Sequence, residues 1–386
     1  MIFVIFAGMT IKTLLVPILL CAATLTASGQ ERFNLRQFGL KMLSKTTAPN
    51  GTLDSAYVLQ PRLKWMVAAD GNTIHTGVDL HSDITVSDFT GDNASIIPGS
   101  MDIGMSNRLY KKVGLSAAYG GLGGGFGIEL GKKSSERNTY FTFGSIGSFY
   151  GFAIQYYKTH QHVSGTLSLE GLDPIDLSSS HPGEMRNFSL NGFYAFNRHK
   201  FVFASAYAGR LLQRRSAGSW VVTAKYMQGD FSMDPDDLVF TERLNGLHRY
   251  STQQVSLGGG YSFNGVLFHR EPSDPDTWKG LRNLTVNATV LPMISFLNHI
   301  QTEQGGNPGG QVVRYDGQPT LTPALLGALC YAWSRYYITV HASYSRFSFH
   351  GAETEVSEEG GHLRTKIRTQ GVFYDLSAKL QAGVRF

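Results

Sequence analysis

Along most of this chain every second residue is apolar, and no other feature restricts its fold as much. The last stretch, "VFYDLSAKLQAGVRF", shows the pattern most cleanly. Counting back from Phe386, the residues Val384, Ala382, Leu380, Ala378, Leu376, Tyr374 and Val372 alternate with Arg385, Gly383, Gln381, Lys379, Ser377 and Asp375, broken only by Phe373. A period of two sends the two sets to opposite faces of an extended strand. The pattern recurs in "NLTVNATV" (283–290), "QVSLGGGYSF" (254–263), "YITVHASYS" (337–345) and "TIHTGVDLH" (73–81). One face is aliphatic and the other is hydroxylic, amidic or small rather than heavily charged. Aromatic residues gather near the strand ends.

That combination suits strands with hydrocarbon on one side and a polar interior on the other. Charged residues make up only 16% of the 386, against about a quarter in ordinary soluble domains, while glycine (44 residues) and aromatics (12%) are abundant. A secreted β-sandwich also alternates, but these strands run to ten residues or more and continue to the final phenylalanine. An unpaired sheet edge in lipid costs several kcal/mol for each exposed backbone group, so the first and last strands should pair into a closed ring. The expected fold is all-β: an antiparallel transmembrane β-barrel of about twelve strands, with fourteen as the alternative.

The candidate strands include 61–69, 73–81, 101–109, 201–213 and a long element at 113–131, whose "GGLGGG" marks either a bulge or a turn. Long connections such as 229–252 and 350–371 belong on one side of such a barrel. After residue 30 no apolar run is long enough for a membrane helix. Ahead of it, "MTIKTLLVPILLCAATLTASGQ" has the form of a signal peptide, with Lys12, an apolar run, and Ala27 and Gly29 at the small-residue positions. Cleavage is expected between Gly29 and Gln30, with translation beginning at Met1 or Met9. The domain plan is therefore a leader (1–29), a short periplasmic segment (30–56) and a barrel (57–386). The expected location is the bacterial outer membrane.

The net charge of +5 comes without a Lys/Arg block of the kind that grips nucleic acid, so no nucleic-acid partner is expected. The expected partners are outer-membrane lipids, including lipopolysaccharide, and the barrel assembly machinery, reached through the last strand and Phe386. No cofactor is implied, and Cys330, the one cysteine beyond the leader, supports neither a disulfide nor a metal site.

Two stretches resemble a known family. "FYAFNRHKFVFASAYAGRLLQRRSAGSW" (193–220) is similar to the central signature of domain-of-unknown-function family 4421. Asn197, Lys200, Phe201, Arg214, Arg215 and the run Ser216-Ala217-Gly218-Ser219 carry the resemblance. The glycine-aromatic strands from "KKVGLSAAYGGLGGGFGIELG" to "RNTYFTFGSIGSFYGFAIQYY" are similar as well. The resemblance implies an outer-membrane barrel of Bacteroides-like bacteria and assigns no activity.

Individual sites are weakly specified. The inward candidates are Ser377, Lys379, Gln381, Gln254 and Ser256, whose mixed polarity fits a narrow pore or a scaffold with large surface loops. Arg214, Arg215 and Ser216 form a candidate site for an anion or lipid head group, two guanidiniums beside a tight turn. Solvated hairpin residues are the plainer reading. His341 and Ser343 share a strand face, as base and nucleophile do in envelope acyl hydrolases, but the flanking aliphatics turn both inward and no orienting acid can be named. An adhesin or receptor acting through the surface loops is a further possibility. His160 and His162 have ligand spacing without a third ligand, which falls short of a metal site.

Overall fold

The computed structural model describes residues 53–60, 63–88, 95–107, 110–130, 138–147, 149–179, 181–232, 249–274, 278–304, 311–357 and 363–386. The expected leader, its cleavage point and almost all of the 30–56 segment lie outside these residues. The first strands are β1 (Val58–Leu59), β2 (Trp65–Asp88), β3 (Ser95–Ser106), β4 (Tyr110–Tyr119), β5 (Leu122–Glu129) and β6 (Thr139–Ile146). Next come β7 (Tyr150–Leu169), β8 (Ile175–Asp176), β9 (Gly183–Ala195), a single helical turn α1 (Ala204–Tyr207), β10 (Leu212–Gln213) and β11 (Ala217–Ser232). The chain ends with β12 (Arg249–Arg270), β13 (Arg282–Gln304), β14 (Gln311–Gly317), β15 (Thr320–Trp333), β16 (Tyr336–Ser357) and β17 (Leu363–Arg385).

Twelve of these strands close into one antiparallel ring, in the order β2, β4, β5, β6, β7, β9, β11, β12, β13, β15, β16, β17 and back to β2. The seam between first and last strands runs in unbroken register from Met66 opposite Arg385 to Asp88 opposite Leu363. Trp65 and Phe386 extend it with two reciprocal backbone hydrogen bonds of 3.0 Å. Closure leaves the ring no free edge, the condition that a lipid surround imposes.

Four assignments differ from the sequence expectation, the first being the connection expected at 350–371, most of which is strand because β16 runs to Ser357 and β17 begins at Leu363. The described strand residues of segment 61–69, from Trp65 on, and all of segment 73–81 are parts of the single strand β2. Segment 113–131 is two strands, because Gly120 (φ 58°) and Gly121 (φ 104°) make the two-residue turn that suits a hairpin's twist. Segment 201–213 is not a wall strand at all but folds into the mouth of the ring. "FVFASAYA" is apolar or small at almost every position, and such a run means burial on all sides without choosing helix or strand.

The wall changes width along its length. β3 and β4 follow one another along β2, β3 against Gly77–Asp88 and β4 against Trp65–Ile74. The β5–β6 hairpin stands between β4 and β7 near the short-turn end only, and above it β3 pairs directly with β7. Asparagines patch the junction. Asn107 Nδ2 donates to the Ile74 carbonyl (2.9 Å) and its Oδ1 accepts from the Thr76 amide (2.6 Å). Asn138 Oδ1 accepts from the His160 amide (2.8 Å) while its Nδ2 donates to Glu129 (2.7 Å). Each side chain supplies the bonds that a continuous ladder would have made.

An apolar belt surrounds the short-turn half. Leu115, Leu257, Val290, Ile294, Leu325, Val340, Leu376 and Leu380 are all exposed. Aromatic pairs rim its lower border: Trp65 with Tyr119 (4.9 Å), Trp220 with Tyr261 (5.4 Å) and Trp333 with Tyr336 (5.9 Å). On β17 and β16 the outward face turns polar beyond Tyr374 and Tyr344, at Gln370, Arg368 and Arg346. A tilted crossing strand needs about 9–11 residues, whereas β2 has 24 and β17 has 23. Roughly half of each long strand therefore stands beyond the belt. In "TIHTGVDLH" the aliphatics Ile74 and Val78 face inward, the reverse of the pattern near the C-terminus, because this stretch lies where the belt ends.

Candidate functional site

The interior of the ring is filled at three levels. At the short-turn end, the β9–β11 connection enters the mouth as a plug. Phe201, Val202, Ala204, Ala206 and Leu212 are buried, and β10 pairs with β1 from the incoming chain. The polar faces of β12 and β13 hold the plug in place. Asn264 Nδ2 donates to the Val202 carbonyl (2.8 Å), and Asn283 Nδ2 donates to the Gln213 carbonyl (2.8 Å). The Tyr207 hydroxyl donates to Asn287 Oδ1 (2.8 Å). Wall side chains then brace one another: Asn287 to Asn264 (2.8 Å), Thr289 to Asn287 (2.8 Å) and Thr285 to Asn283 (2.9 Å). "NLTVNATV" showed its amide and hydroxyl face at once. That this face is a socket for residues 201–213 had no local signal.

The middle level brings acidic and basic side chains together in equal number. Lys379 pairs with Asp70 across the closing seam (3.3 Å). Asp375 accepts from the Tyr157 hydroxyl (2.8 Å) and interacts with Lys225 and Lys112. With Glu129, held by Asn138, three carboxylates meet three ammonium groups. Above them, Val78, Ile103, Met105, Val163, Met185, Met227, Phe231, Phe347 and Phe373, from seven strands, pack into one apolar cluster. Phe373, the single break in the C-terminal alternation, is an inward member of that layer.

Gln381 Nε2 donates to Ser116 Oγ (3.0 Å), and the hydroxyls of Ser377 and Ser343 share a 2.7 Å hydrogen bond. Gln254 and Ser256 are 2% and 0% exposed. His341 bonds Thr339 Oγ1 (2.9 Å) and lies edge-on to the Tyr207 ring (5.4 Å), so the hydrogen bonds of His341 and Ser343 lead to different partners. Among the described residues, no three His, Cys, Asp or Glu side chains gather as a metal-binding group.

Arg214, Arg215 and Ser216 sit at the short-turn end, on the plug. Arg214 donates to the Ser55 carbonyl and pairs with Glu271 (2.7 Å). Arg215 lies over the Tyr57 ring (5.9 Å), and Ser216 Oγ accepts from the Val266 amide (2.9 Å). Partial burial pushes the Glu271 carboxyl up, but hydrogen bonds from His269 and Arg214 outweigh it and hold the group below the ordinary range. Burial alone pulls the Arg210 guanidinium of the plug down to about 10. The C-terminal Phe386 is exposed at the same end.

A ring of antiparallel strands with an apolar belt, an aromatic rim and no edge is a β-barrel of the outer-membrane type. Residues 105–271 match the family model described as a domain of unknown function, DUF4421. The matched region includes the whole plug. No curated protein matches the chain in sequence. Among solved structures, the translocator domain of the autotransporter NalP from Neisseria meningitidis is 12% identical with a TM-score of 0.24, over 91% of this chain and 95% of that one. A Pseudomonas aeruginosa FadL homologue is 9% identical with a TM-score of 0.20, over 82% of this chain and 90% of that one.

Proposed function

We propose that the protein is a sealed barrel of the bacterial outer membrane that presents a recognition surface rather than a pore. Its short-turn end faces the periplasm and its long strand extensions stand at the cell surface. Lipids, lipopolysaccharide among them, surround the apolar belt. The strand ending at Phe386 is the part offered to the barrel assembly machinery, and the chain reaches the periplasm by a leader removed before Gln30.

One observation carries the sealed reading. Inward polar residues in a water-filled channel are wetted, yet Asn187, Gln254 and Thr339 are 1%, 2% and 0% exposed. The plug closes one level and the apolar cluster another, so passage would require both to rearrange. Planar-bilayer recording on the full folded protein tests this. The expected record is a quiet baseline without unitary steps, and regular stepwise conductance would remove the sealed reading. Sequencing the mature N-terminus checks the leader separately, with Gln30 expected first.

A further inference from the structure

Just beyond the apolar belt, the outer wall carries an open cleft of about 930 Å³ between β16, β17, β2, β3, β7 and β8. Its side chains have outward parity: Asp79, His81, Asp102, Asp176, Arg346 and Gln370 point away from the filled interior, while Val78, Ile103 and Phe373 pack behind them. The narrowing of the wall accounts for the hollow. Two strands fewer shorten the circumference by roughly 10 Å at about 4.8 Å per strand. The cleft opens on the outer face of this narrower part of the wall, with the apolar cluster behind it.

We propose that this cleft binds a sugar chain, a reading that rests on the assigned orientation with the long strands at the cell surface. A volume in the ~300–1,000 Å³ range suits a small-molecule ligand or a few linked rings. Carboxylates, an amide, a guanidinium and several hydroxyls supply the paired acceptors and donors that a polyhydroxylated ligand needs. Three aspartates against one arginine disfavour a phosphate. His81 is fixed in place, with Nδ1 2.6 Å from Asp102 and Nε2 3.5 Å from Asp83. Gly104 forms part of the lining, and a β-carbon there would stand 3.5 Å from Ser164 Oγ and 3.7 Å from Asp79 Oδ1. Glycine thus keeps the space open, and a larger side chain can occupy it without backbone strain.

The sugar has two sources at that height, the head group of an outer-leaflet glycolipid or a soluble glycan at the cell surface. Isothermal titration calorimetry separates them, using the full folded protein in detergent, the delipidated core oligosaccharide of rough lipopolysaccharide, and maltoheptaose. The proposal expects one of these to bind the wild type and to bind Gly104→Leu at least tenfold more weakly, with both proteins equally heat-modifiable on gels. Binding of the core alone assigns the glycolipid source, and binding of maltoheptaose assigns the soluble one. No heat from either sugar, or equal affinity for both proteins, overturns the proposal. Such a failure leaves the bilayer record of the sealed barrel untouched, and a conducting record leaves the calorimetry untouched.

Discussion

Asn287 shows how much one inward side chain holds together. Its Nδ2 donates to Ser262, to the Phe263 carbonyl and to Asn264, and its Oδ1 accepts from Tyr207 and Thr289. Removing it orphans several buried groups, each at a cost of roughly 1–3 kcal/mol. Asn287→Ala is expected to lower the urea midpoint in detergent micelles by the equivalent of about 2–3 kcal/mol. Protease should then reach the plug at Arg210 or Arg214 while the barrel itself survives. An unchanged midpoint with an uncut plug would mean that the asparagine contacts do not hold it. The sequence revealed Asn287 as a member of a polar face, since that needs only period two. It did not reveal Tyr207 as its partner, because the two are 80 residues apart and join only when the connection folds inward. Asp70 and Lys379 are separated further still and meet only through closure of the ring.

At the scale of elements, the legible strands have one face in lipid and the other in a polar interior. β13, β16 and β17 alternate cleanly over the stretches the sequence marks, and β16 and β17 run on, to Ser357 and back to Leu363, into what the sequence reads as the connection 350–371. The exceptions each have a physical reason. The plug touches protein on every side and so carries no two-faced pattern, while the β4–β5 turn is built entirely from glycine. Gly121 makes that turn a test. Its φ of 104° excludes a β-branched residue, and a β-carbon there would also run into Arg210. Gly121→Val is expected to cost about 1–3 kcal/mol and to lower the folded yield severalfold on a heat-modifiability gel. Gly71, with nothing within 4 Å of a β-carbon, should accept alanine without loss and serves as the control.

For the whole molecule, the sequence declares a barrel through its belt, its aromatic rim and its two-faced last strand. Whether that barrel is open depends on where the inward side chains meet, which no local pattern reports, so a mixed polar interior read equally well as a pore lining. The central claim remains the closed ring, joined between its first and last strands in one register. Cysteine cross-linking in intact cells tests this most directly, in a Cys330→Ala background. Ala69 stands opposite Ala382, and Thr73 opposite Ala378. The ring predicts that Ala69→Cys with Ala382→Cys links efficiently through a short thiol-reactive bridge, while Ala69→Cys with Ala378→Cys, four positions out of register, does not. Absence of the first link, or equal yields from the two pairs, would contradict closure.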